Sequence, residues 1–288
     1  MPVSVEPRGH YAQLMEAGPA VMPGDAPEAH GWRWAVAFFV VTYIVTALLW
    51  LPILGSGESV AAALSGRLLL LLLLASITPS LIAFVIAGIE GGPARMRQLL
   101  GQLGRWRFGI GWYAIAMLLE PLVWVVSLGL AMLFGGRGPE VRLDFLIPIA
   151  AIGEEFGWRG YALPRLQSRI GALPASLLIG VVWATWHLPY FADPSMHPLP
   201  FWIDFGVFVA MLTSQSVLAT WIYNSTGGSL LASVLYHHSV HMASLVPVIP
   251  GVLGAVCMAI ISVAAAAAAV AASGASLVGL RRSQPVNS

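Results

Sequence analysis

The chain has 288 residues, 58% of them hydrophobic and only 9% charged, where a soluble globular domain carries about 25% charged residues, so an ordinary soluble domain is excluded and the membrane class leads. The net charge is +1, carried by fourteen basic residues that are all arginine, which gives no electrostatic case for nucleic acid. The single cysteine, Cys257, excludes an intrachain disulfide or a cysteine-based cluster.

Residues 1–31 form a polar arm holding Glu6, Glu16, Asp25 and Glu28, without the basic start and apolar core of a signal peptide. Beyond it, eight runs reach the roughly 20 apolar residues that a spanning helix needs. They are Trp34 to Leu54, Leu68 to Gly88, Ile110 to Phe134, Phe145 to Pro164, Pro174 to Phe191, Phe201 to Tyr223, Ser229 to Ile249 and Val252 to Val278. Turn formers fill the connections, as in GSGES, GGRGPE and NSTGG. No run shows strand-like alternation, and lipid admits only helices or closed barrels. The predicted fold is all-α: a polytopic transmembrane bundle of about eight helices. It divides into the arm, three peripheral spans over 32–142, a core of spans four to seven over 143–249, and a last span with its tail over 250–288.

Arginine bias sets the orientation. The loop between spans two and three carries Arg95, Arg97, Arg105 and Arg107, and placing it in the cytoplasm also puts Arg8, Arg33, Arg165, Arg169, Arg281 and Arg282 there. Arg67, Arg137 and Arg142 fall on the opposite side. The expected location is the plasma membrane of a bacterium. Trp32, Trp34, Trp50, Trp106, Trp112 and Trp202 lie near helix ends, where aromatic belts account for them.

The fourth span carries Glu154, Glu155 and Arg159 in the middle of an apolar run. A charge near the bilayer centre costs about 2.5–3.5 kcal/mol on insertion scales, so these groups must face the bundle interior. Glu155 and Arg159 are four apart and share a helical face, which predicts an ion pair. Glu154 points about 100° away around the helix and is left without a local partner. A carboxylate so placed is suited to general base and then general acid work, so Glu155 supports and Glu154 reacts. The fifth span places His187 in WATWHLPYF, with Trp183 one turn earlier on the same face. The seventh gives His237 and His241, four apart on one face, with His238 turned about 100° off it. Alone, an intramembrane His is most often a packing residue and a Glu–Arg pair is structural glue; together on three helices they predict one polar pocket. Glu120 is a further buried acid, read as structural pairing or as a group behind the site. Thr213, Ser214 and Gln215 read as interhelical hydrogen-bonding groups, Asp204 as a helix-end residue reaching water, and His10, His30 and His197 as solvated surface.

These residues carry a resemblance. GEEFGWRGYALPRLQ resembles the Glu-Glu-x-x-x-Arg motif of the CAAX-processing and bacteriocin-processing intramembrane proteases. WATWH is similar to their aromatic-x-x-x-His motif, with Trp183 where Phe is commoner, and HHSVH to their His-x-x-x-Asn motif, with His241 where Asn is usual. The resemblance covers about Phe145 to Leu245. It implies an endopeptidase in which Glu154 activates water with the help of His187, His237 and the residue four later steady the oxyanion, and Glu155 and Arg159 support. The implied partners are the lipid bilayer and a peptide or protein substrate, prenylated or otherwise membrane-associated. His241 keeps a hydrogen-bond donor but can also bind metal, so two versions stand. One is metal-free, and the reading leans to it. In the other His187, His237 and His241, with Glu154, hold a Zn²⁺ with an open position for water.

Two other functions compete. A transporter or ion channel could use the same buried Glu, Arg and His as a proton path, although no inverted repeat is evident. A membrane scaffold would bind a partner without chemistry. The orientation also raises a question of access. Glu154 lies roughly 15 Å in from the outer end of its span at about 1.5 Å per residue, and His187 is nearer still to the outer end of its own. A site for cytoplasmic C-termini should open inward. Either the fifth span begins later than drawn, or substrate enters laterally, or the orientation is reversed.

Overall fold

The computed structural model describes residues 31–59, 62–63, 66–136, 138, 147–193, 199–245 and 251–279. The polar arm up to residue 30, with His10 and His30, lies outside the described residues, as do His197, Arg137, Arg142, Arg281 and Arg282.

In chain order the helices are α1 (Gly31–Ser56), α2 (Leu69–Gly101), α3 (Ile110–Leu133), α4 (Ile147–Glu155), a π-helical segment (Phe156–Ala162), α5 (Leu163–Ile170), α6 (Ala172–Trp186), a 3₁₀ turn (Leu188–Ala192), α7 (Phe201–Ser225), α8 (Leu230–Leu245) and α9 (Gly251–Ser273). Among the described residues there is no strand, and the fold is an all-α polytopic bundle. Among the described residues, six helices are long and apolar enough to cross a membrane: α1, α2, α3, α6 with its 3₁₀ turn, α7 and α9. The two predicted spans missing from that set are the fourth and the seventh. The fourth is broken into α4, the π segment and α5, and the seventh is the 16-residue α8. Both carry the ionisable groups, and both are sheltered by longer neighbours. α4 packs on α2 and α8, while α8 packs on α3, α4 and α7.

The connection after span two departs from its sequence reading as a loop. Helical structure resumes through Pro93 to Gly101 after a break at Gly91 and Gly92. Gly92 has φ 61° and ψ −152°, a conformation that a side chain would strain, and Pro93 then restarts the helix. Below this break Glu90 accepts hydrogen bonds from Arg165 (2.7 Å) and from the Tyr161 hydroxyl (2.9 Å), clamping α2 to α5. Arg169 lies over the Trp32 ring at 5.3 Å, and Arg105 donates to the carbonyl of Gly227 at 3.0 Å. The arginines of α1, α5 and the α2–α3 connection therefore form one rim.

At Gly157 the backbone of the π segment lies directly against Pro79 of α2. A Cβ on Gly157 would lie 2.7 Å from both the Cβ and the carbonyl oxygen of Pro79, and one on Gly153 would lie 2.6 Å from Cγ2 of Ile77. Overpacking of this kind costs about 1–3 kcal/mol, and here the obstacle is backbone. Gly157→Ala is therefore expected to lower the unfolding temperature in detergent, and Gly157→Val to lower it further. An unchanged midpoint in both would show that α2 can yield. A larger core surrounds the segment. Trp158 is fully buried against Phe38 (5.5 Å, edge-on), Phe39 (6.2 Å, stacked) and Trp186 (5.9 Å, edge-on). On α7, Ser214 corrects its sequence reading. Its hydroxyl donates to Ala210 of its own helix at 2.8 Å, a back-bond that serines often make in apolar helices. The interhelical bond comes instead from Ser216, to the carbonyl of Ser176 on α6 at 2.8 Å.

Candidate active site

Glu154 and Glu155 close α4, where the chain widens into the π segment, a conformation frequent at functional sites. Both carboxylates and Arg159 are buried. Arg159 Nη1 donates to Glu155 Oε1 at 2.8 Å, the pair that the four-residue spacing predicts. The same oxygen lies 2.9 Å from Nδ1 of His237 on α8. A carboxylate bonded to a guanidinium is ionised and can only accept, so Nδ1 of His237 carries the proton.

Glu154 has partners that the sequence reading did not assign. Its Oε2 accepts from Nε1 of Trp158 at 3.2 Å and from Nε1 of Trp183 at 2.6 Å. The first was legible: Trp158 stands four residues after Glu154, as Arg159 stands four after Glu155. The second joins α6 to α4 and needed the fold. Two neutral N–H donors hold the carboxylate in place without tying it to a fixed cation.

Trp183 is the hub of the pocket. Besides its bond to Glu154 it lies under the Arg159 guanidinium at 4.9 Å. Its ring meets His237 edge-on at 5.1 Å and His187 at 6.0 Å. Nδ1 of His187 lies 2.8 Å from the Trp183 carbonyl oxygen, which can only accept. His187 thus donates through Nδ1 and, as a neutral ring, presents a lone pair at Nε2. His237 is fixed in the same sense by Glu155.

His237 and His241 stack with centroids 4.8 Å apart and planes 15° apart. One ligand atom each from Glu154, His237 and His241 lie within 4.8 Å of one another. His187 is not in that set; it borders the pocket at the end of α6, beside Trp186 (4.7 Å), Tyr190 (5.8 Å) and Phe208 (5.4 Å). Behind α8, the Tyr236 hydroxyl donates to Glu120 Oε1 at 2.5 Å, so the buried acid of α3 anchors the residue next to His237. Asp204 stands in the first turn of α7, half-buried.

Two comparisons bear on this arrangement. Residues 140–243 match the family model described as type II CAAX prenyl endopeptidase Rce1-like. The chain is also 26% identical over 224 residues to the CAAX prenyl protease 2 of Methanococcus maripaludis, an alignment covering 71% of this chain and 82% of that protein. The matched segment begins just before α4 and ends within α8, so it holds every residue of the pocket.

Proposed function

Since the chain belongs to the CAAX-processing and bacteriocin-processing family of membrane proteases, we propose that it is an intramembrane endopeptidase in which Glu154 activates the attacking water. The observation that carries this reading is the placement of Glu154. It is buried, held by two indole N–H groups, and within 4.8 Å of imidazole nitrogens of His237 and His241.

The reaction follows from the donors and acceptors. Water bound between Glu154 and Nε2 of His187 gives a proton to the carboxylate as its oxygen attacks the scissile carbonyl. The protonated Glu154 then delivers that proton to the departing amine. Charge develops on the carbonyl oxygen, and a neutral His241 ring can offer it an N–H. His237 differs. With Nδ1–H committed to Glu155, it donates from Nε2 only as the imidazolium, which the ionised Glu155 supports. Glu155 and Arg159 orient His237 and do not touch the substrate.

A second reading rests on the same nitrogens. His237 Nε2, His241 and Glu154 make a two-His, one-carboxylate donor set that suits catalytic zinc, and Glu155 stands where an outer carboxylate would orient His237. A Zn²⁺ held there would polarise the carbonyl and acidify a bound water. This set differs from the expected one in leaving His187 to position water. His241→Asn separates the two readings, because Asn keeps an N–H donor and is a poor zinc ligand. Without metal, the variant is expected to retain cleavage within about tenfold, on the scale of one adjusted hydrogen bond. With metal, it loses both cleavage and copurifying zinc, read by elemental analysis of the purified protein.

The relative's name points to prenylated peptides. A farnesylated peptide ending in a CAAX sequence and an unprenylated apolar peptide, both internally quenched, are the probes for the purified protein in proteoliposomes. Cleavage of either that disappears in Glu154→Gln supports the protease. Ion flux lost in the same variant, with no cleavage by the native chain, would support the transport alternative instead.

A further inference from the structure

The structure removes one of the three explanations for the access problem. α6 begins at Ala172, two residues earlier than the sequence reading, so His187 is carried further from the arginine rim. At about 1.5 Å per residue it stands roughly 22 Å along α6 from its first residue. α8 starts on the same rim, where the Leu230 amide donates to the Gln102 carbonyl at 3.1 Å and the Ser229 hydroxyl to that of Arg105 at 2.6 Å. His237 lies about 10 Å along α8 from that end and His241 about 16 Å. Exposure rises in the same direction: Glu154 and His237 are buried, His187 and His241 half-buried, and Met242 beyond them exposed.

The two ends of the bundle differ in charge. Among the described residues, Arg33, Arg95, Arg97, Arg105, Arg107, Arg165 and Arg169 flank the rim end. The end past His187 has Arg67 with Glu58, Asp193 and Asp204. Arginine excess marks the cytoplasmic side. From the alternating course of the helices, the depth of the imidazoles and this asymmetry, we propose that the pocket opens to the face away from the cytoplasm. Its substrates are then exported or membrane-anchored polypeptides that present an apolar segment at the outer leaflet.

The walls near His187 suit such a segment. Phe191, Phe205 and Phe208 pack edge-on, with Phe191 5.2 Å from each of the other two rings, and Phe201 stacks on Phe205 at 5.4 Å. This aromatic face runs from His187 to the exposed start of α7. It offers area for apolar side chains beside the scissile bond. A prenylated C-terminus made in the cytoplasm would approach from the opposite rim.

The proposal concerns the substrate of the protease described above and rests on that reading, but its first test needs no turnover. In a Cys257→Ser background, Trp202→Cys and Trp106→Cys place single thiols at exposed sites on opposite ends. Intact bacterial cells expressing each variant are treated with a membrane-impermeant maleimide. Trp202→Cys is expected to label at least tenfold better than Trp106→Cys, which should label only after permeabilisation. The reverse pattern, or equal labelling from outside, overturns the proposal and leaves the protease reading standing. A second arm uses two single-helix reporters bearing the same apolar juxtamembrane peptide, one outside and one inside. Glu154-dependent cleavage of the outside reporter is expected, and cleavage confined to the inside reporter overturns the proposal.

Discussion

Glu154→Gln is expected to reduce peptide cleavage by about 10²- to 10⁴-fold, the range that a positioned acid–base group supplies, while the protein folds and extracts normally. The amide has nearly the shape of the carboxylate. Its carbonyl oxygen can still accept from Trp183 and Trp158, whose indole N–H groups lie 2.6 and 3.2 Å from Oε2. What it cannot do is take a proton from water and return it. Cleavage of the quenched peptide in proteoliposomes, alongside thermal unfolding, checks both halves. Full activity would show that Glu154 is not the base. Lost activity with a collapsed unfolding midpoint would show a structural role instead. Glu120→Gln is the matched control: another buried acid neutralised on α3, with only an indirect path to the pocket through Tyr236.

Arg159→Met is expected to be the most destabilising single change in the bundle. Removing one partner of a buried ion pair costs about 3–5 kcal/mol, because the other charge stays buried and uncompensated. Glu155 is fully buried, and among the described residues its Oε1 has Arg159 and Nδ1 of His237 as partners. Without the guanidinium, that carboxylate must either take up a proton or draw one onto His237. The double variant Glu155→Gln with Arg159→Met removes both charges and should recover most of the lost stability. It should not recover activity, since His237 loses the carboxylate that fixes its tautomer. Unfolding midpoints and cleavage rates of the two single variants and the double variant give the cycle. Equal stability of Arg159→Met and the native protein would mean that Glu155 is already neutral.

Much of this was legible in the chain. Hydropathy alone gives the six helices that, among the described residues, are long and apolar enough to cross a membrane, since each must be long enough for lipid and lipid forbids unpaired backbone. It does not foresee that the fourth run is broken or that the seventh is only 16 residues long. The Glu155–Arg159 pair follows from four-residue spacing, and so does the shared face of His237 and His241. The donors to Glu154 divide instructively. Trp158 obeys the same spacing rule, four residues after Glu154. Trp183 is visible as a neighbour of His187, but its reach to Glu154 depends on how α6 crosses α4. The π segment carries no marker in composition; Gly153, Gly157 and Gly160 record only that something passes close. The helical stretch after Gly92 was masked by its arginines, which read as loop. Ser214 shows the limit of residue type, because a hydroxyl in an apolar helix can satisfy itself on its own backbone.

Trp183 also determines how the pocket can fail. Its N–H is bonded to Glu154 while its ring meets two imidazoles edge-to-face and lies under Arg159. A rotation of that one side chain would take a contact from each of the four at once, leaving His237 and Arg159 on Glu155, His187 on the Trp183 carbonyl and Glu154 on Trp158. A Phe at position 183 would keep an aromatic ring beside the imidazoles but leave part of the indole's volume empty, and Glu154 would then hang from Trp158 alone.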